Sequence, residues 1–176
     1  MNSRERIRLF CALRLPDPVL DALVAWGGEH LAERIVPRAN LHVTLAFLGG
    51  RPKDELPAIA AATRDAAAAA APIRFEPVRY RETRSVGMLV LADANDAAGA
   101  LASDLHGRLD RLGVYERERR PWLPHLTVVR FRKPPRLSPP TTALEAFSPS
   151  DAAVYHSVLR SGGAQYEVVE SFALGG

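Results

Sequence analysis

Two short apolar runs constrain the fold of this chain more than any other feature. NLHVTLAFL (40–48) and PHLTVVR (124–130) both alternate, and a period of two marks a strand with one buried face. In the first run Leu41, Val43, Leu45 and Phe47 are expected beneath the sheet, with His42 and Thr44 above it. In the second, Leu126 and Val128 go beneath and His125 and Thr127 above. Either run alone is explained by a half-exposed strand. The pair is not: with five His and six Thr in 176 residues, random placement predicts about 0.17 His-x-Thr. Two are present, each flanked by apolar residues.

The rest of the chain alternates between strand and helix patterns. IRLFCALRL (7–15) reads as a strand with Leu9, Cys11, Leu13 and Leu15 on one face and Phe10 on the other, mostly polar face. Asp17-Pro18 reads as an N-cap and first helical residue, followed by apolar positions at helical spacing to Leu31. The HVTL strand is expected to close at Gly49-Gly50. A helix over about 53–71 ends in an alanine run, which favours helix through its high intrinsic propensity. Strands at 73–80 and 86–92, a helix over 96–112 ending at Gly113, the PHLTVVR strand and strands at 152–159 and 166–174 complete the order. This mixture points to an α+β fold with mixed or antiparallel sheets, and no linker divides residues 1–176 into separate domains.

Composition narrows the function classes. A hydrophobic content of 47% suits a globular interior, and a net charge of +3 suits an anionic ligand. The lone Cys11 cannot form an internal disulfide and sits in a core-like strand, so it is expected to be an inert thiol in a reducing compartment. With neither a leader pattern nor an apolar run of bilayer length, the expected location is the cytoplasm.

Residues two apart in a strand stand roughly 6.6 Å from one another on one side. If both strands face one cleft, two imidazoles and two hydroxyls surround a shared space. One histidine can then serve as general base and the other as general acid. The threonine hydroxyls can hydrogen-bond the oxygens of a phosphate. A 2′,3′-cyclic phosphodiester, opened by water with departure of a sugar oxygen, fits this equipment. Zinc would require three or four ligands, and neither motif has Asp, Glu or Cys at ligand spacing, so no metal or cofactor is expected. No Gly-x-Ser-x-Gly element supports a serine nucleophile. Spacing alone does not divide the acid and base roles between His42 and His125.

LHVTL and PHLTV resemble the paired motifs of the 2H phosphoesterase superfamily. RLFCALRLP, NLHVTLAFLG, RPWLPHLTVVR and GGAQYEVVESFAL are similar to its bacterial RNA 2′,3′-cyclic phosphodiesterase branch, also known for 2′-5′ RNA ligase activity. The resemblance implies a bilobal fold in which each lobe sends one motif strand to a central cleft. It also implies His42 as proton donor, His125 as the base that activates water, and a 2′-phosphomonoester product. Arg130 would contact the phosphate, although strict alternation puts it on the Leu126 face unless a bulge or the strand end intervenes. Phe10 would stack on a nucleobase. The implied partners are RNA or oligonucleotide ends and cyclic nucleotides, acted on by a monomer away from membranes. Another 2H activity, such as 2′-5′ phosphodiester cleavage or hydrolysis of a cyclic ADP-ribose phosphate, and a non-catalytic module binding RNA ends are the alternatives.

Overall fold

The computed structural model describes residues 5–31 and 34–175. The strands are β1 (Arg6–Arg14), β2 (Val43–Pro52), β3 (Phe75–Glu82), β4 (Val86–Asp93), β5 (His125–Arg130), β6 (Asp151–Arg160) and β7 (Gly163–Phe172). The helices are α1 (Asp17–His30), α2 (Leu56–Ala69) and α3 (Ala97–Arg111). The strands form two sheets, β2-β1-β6-β7 and β3-β4-β5, and every pairing is antiparallel. The fold is α+β, as expected, without the parallel pairs that a mixed sheet would contain.

One buried cluster joins the inner faces of both sheets to the helices. Leu9, Cys11 and Leu13 of β1, Leu89 and Leu91 of β4 and Leu126 of β5 meet Ile59 and Ala66 of α2 and Leu101 and Leu105 of α3. The alanines of α2 let that helix approach α3 and β6 closely. Cys11 is fully buried, and burial pushes its thiol up to about 11, which leaves it protonated and unreactive. None of the helices is long and apolar enough to cross a membrane among the described residues.

Two boundaries differ from expectation for local reasons. Pro16, rather than Asp17, occupies the cap position of α1; its carbonyl accepts from the amides of Val19 and Leu20. The Asp17 carboxylate is then free to pair with Arg38 at 3.1 Å. Strand β2 also runs through Gly49-Gly50 to Pro52, since β1 continues to pair with it as far as Arg6.

Candidate active site

His42 and His125 are held in the same way. In each, Nδ1–H donates to the carbonyl two residues earlier, Asn40 O for His42 and Leu123 O for His125, both at 2.8 Å. That bond selects the tautomer and leaves Nε2 without a proton on the neutral ring. At His42, Nε2 lies 2.9 Å from Thr44 Oγ1, whose hydroxyl donates to it while the ring is neutral. Asn40, the source of the first carbonyl, is itself tied to β7 through Nδ2–H to Ala164 O at 3.1 Å.

The two motif strands come from different sheets and meet. β2 touches β5, and the indole N–H of Trp122, just ahead of β5, donates to Thr44 O at 3.1 Å. The charges of His125 and Arg130 reach the His42 ring. Together with burial, the larger cause, they lower its pKa from the ordinary 6.5 to about 4, against the opposing pull of the Asn40 carbonyl. His42 is therefore neutral at pH 7.

Three β-bulges on the two motif strands redirect side chains relative to simple alternation. On β2, Ala12 pairs with Thr44 but Cys11 with Ala46, which leaves Leu45 as an extra residue; a second irregularity follows at Leu48. A bulge reverses the faces beyond it. Phe47, expected in the core, accordingly pairs with Phe10 on the His42 face and is 68% exposed. The bulge carbonyl of Leu45 accepts from His106 Nε2–H of α3 at 2.7 Å, so the extra residue leaves no orphan there. On β5, Thr127 pairs with Met88 but Val129 with Gly87. Val128 and Val129 are both buried, and Arg130 emerges on the His125 side. Strict alternation would have put Arg130 on the opposite face.

Phe10 departs from expectation. It does lie on the His42 face, but it is only 3% exposed. Tyr155 stacks on it in parallel at 4.8 Å, Tyr166 meets it edge-on at 4.9 Å, and Phe47 and His42 close the remaining sides at 5.9 and 5.0 Å. No ring face is left for a base; Phe10 supports the His42 ring instead. Phe47 is the exposed aromatic of this group, while Tyr166 is half-buried. The bulge that exposes Phe47 depends on the partner strand, and no local sequence signal marks it.

The open face of β3-β4-β5 has a different character. His125 lies opposite Val90 and Thr127 opposite Met88, and the next strand places Arg79 and Arg81 in those same two rows. In the loop before β5, Arg117 is engaged with Ser103 O at 3.1 Å, while Arg119 and Arg120 are exposed. Among the described residues, no group of three or more His, Cys, Asp or Glu is placed to hold a metal.

A family model described as the 2′-5′ RNA ligase superfamily matches residues 15–162. The chain is 34% identical to an RNA 2′,3′-cyclic phosphodiesterase of Thermus thermophilus, over 97% of this chain and 91% of that protein. It is 25% identical to the Escherichia coli protein of the same name, covering 95% and 96% of the two chains. Among solved structures, TT0787 of Thermus thermophilus matches with a TM-score of 0.82 at 30% identity, over 97% and 99% of the chains. E. coli LigT complexed with 3′-AMP matches with a TM-score of 0.78 at 23% identity, over 98% and 100%.

Proposed function

The chain belongs to the 2′-5′ RNA ligase superfamily, and on that premise we propose that it opens 2′,3′-cyclic phosphates at the ends of RNA or nucleotides. The product is a 2′-phosphomonoester. The observation that carries this reading is the matched pair of histidines, each with Nδ1 tied to a backbone carbonyl and Nε2 available at the meeting of β2 and β5.

The reaction needs no metal. A water molecule loses a proton to His125 Nε2 as its oxygen bonds to phosphorus, the P–O3′ bond breaks, and His42 Nε2–H protonates the departing 3′ oxygen. Thr44, Thr127 and Arg130 bind the phosphate oxygens and stabilise charge as it builds. His42 has to be protonated before it can act as the acid. Burial is the main cause that holds its pKa down; a phosphate anion beside the ring adds an opposite charge, so substrate binding itself favours loading the proton. Ligation follows the same path with a ribose 5′-hydroxyl in place of water, and the bond formed to phosphorus then completes a 2′-5′ phosphodiester. Phe47 offers the ring on which the terminal base stacks. A single chain supplies both histidines, so the working unit is the monomer, and its setting is the cytoplasm.

Chelator-treated protein should hydrolyse a 2′,3′-cyclic nucleotide, and His42→Ala or His125→Ala should each lower kcat by about 10²–10⁴-fold. Full activity in either variant removes the acid–base pair. A panel including 2′-5′ linkages and a cyclic ADP-ribose phosphate separates this reading from other 2H activities, and thermal stabilisation by ligand without product would indicate a binding module. The neutral state of His42 favours one second reading, with His42 as base and His125 as acid. A phosphodiester with a leaving group that needs no proton decides the matter, since it rescues the variant lacking the acid and not the one lacking the base.

A further inference from the structure

Resting on the phosphodiesterase reading, we infer that the open face of the β3-β4-β5 sheet is a phosphate shelf that recognises the backbone upstream of the reacting end. The preferred substrate is then a single-stranded RNA end rather than a free cyclic mononucleotide. Directly paired residues in an antiparallel sheet point to the same side. The register therefore aligns His125, Val90 and Arg79 in one row and Thr127, Met88 and Arg81 in the next. The alternate residues Leu126, Leu89 and Tyr80 face the core cluster, which confirms the sidedness of both rows.

Two strand spacings, about 9.5 Å, separate each arginine's backbone from its motif residue. A guanidinium on a long stem covers much of that gap, so a phosphate adjoining the reacting nucleotide falls within reach. Arg130, paired with Val86 one row further on, extends the line of positive charge. Both Arg79 and Arg81 are exposed, and among the described residues neither forms an ion pair. Glu82, adjacent to Arg81, lies on the opposite face and is occupied: it accepts from Tyr80 Oη–H at 2.8 Å and from the amides of Arg136 and Leu137 at 2.7 and 2.9 Å. Glu76, opposite Ala92, stands at the far end of the open face, beyond the His125 row. Unpaired guanidinium groups with donors in a fixed fork suit phosphate oxygens.

The test compares a 2′,3′-cyclic mononucleotide with a short RNA carrying the same cyclic end, in the wild type, Arg79→Gln/Arg81→Gln and Arg79→Lys/Arg81→Lys. The wild type should favour the RNA by about tenfold or more in kcat/KM, and the glutamine variant should bring that ratio close to one through KM. The dependence of log KM on log salt should become shallower by about 1.4, the value for two lost phosphate contacts on a single strand. The lysine variant keeps the charges and should retain the wild-type salt slope. An unchanged ratio and slope in the glutamine variant overturn the shelf. If the wild type cuts neither substrate, the phosphodiesterase reading fails instead. Fluorescence anisotropy with a 2′-phosphate-ended RNA then still decides the shelf: weaker binding by the glutamine variant supports it, and equal binding overturns it.

Discussion

The two motif strands share one pattern and one anchoring bond, yet they create different environments. His42 is packed against Phe10 and Tyr155, has its Nε2 bonded by Thr44, and has a pKa of about 4. His125 is half-buried at the start of β5, in rows that lead to arginines rather than aromatics. The cleft thus has an aromatic wall and a cationic wall. Identical His-x-Thr elements place the two imidazoles, and the neighbours, not the motif, distinguish them chemically.

The largest effect on this contrast should come from Phe10→Ala. It removes a buried ring from the aromatic pack, and the expected loss of stability is about 3–5 kcal/mol by denaturant unfolding. In the folded variant, an NMR titration should show the His42 pKa moving up from about 4 towards 6.5 as burial is relieved. A His42 that still titrates near 4 would remove burial as the main cause.

A smaller effect concerns pH. The folded pKa of His42 is below its unfolded value, so the unfolded chain takes up the proton first as pH falls. The stability contributed by neutral His42 is fully present above 6.5 and is lost as pH drops towards about 4. His42→Gln should flatten the unfolding free energy across that window relative to the wild type. An unchanged pH profile in that variant would contradict a His42 held neutral by burial.

The smallest expected change is at the joint between the walls. Trp122→Phe removes one hydrogen bond, from the indole to Thr44 O, with an expected loss of about 1 kcal/mol in the same unfolding assay. A neutral result would mean that water replaces the indole without cost.

Much of this was legible from residue order. Strand and helix positions follow from periodicity, and Leu41, Val43, Leu45, Leu126 and Val128 are buried as alternation requires. His42 and Thr44 share a face because the first bulge of β2 comes after them, at Leu45. Alternation fails beyond each bulge. It put Phe47 in the core, and it left Arg130 on the wrong side of β5, because an extra residue in one strand exists only relative to its partner. Phe10 shows a second kind of failure: its face was read correctly, but Tyr155 and Tyr166, more than 140 positions away, are what cover it.

Sequence by itself determined the local chemistry: which residues form strands, which two histidines stand beside threonines, and which apolar residues lie beneath them. These properties depend on neighbours one to four positions apart, where backbone geometry alone sets the outcome. Tertiary structure decided the rest. It brought β2 against β5, half-buried the His42 ring, turned Phe47 and Arg130 outward and ranged Arg79 and Arg81 beside the second motif. Pairing register, burial and charge proximity are relations between distant segments, and the order of residues along one strand does not contain them.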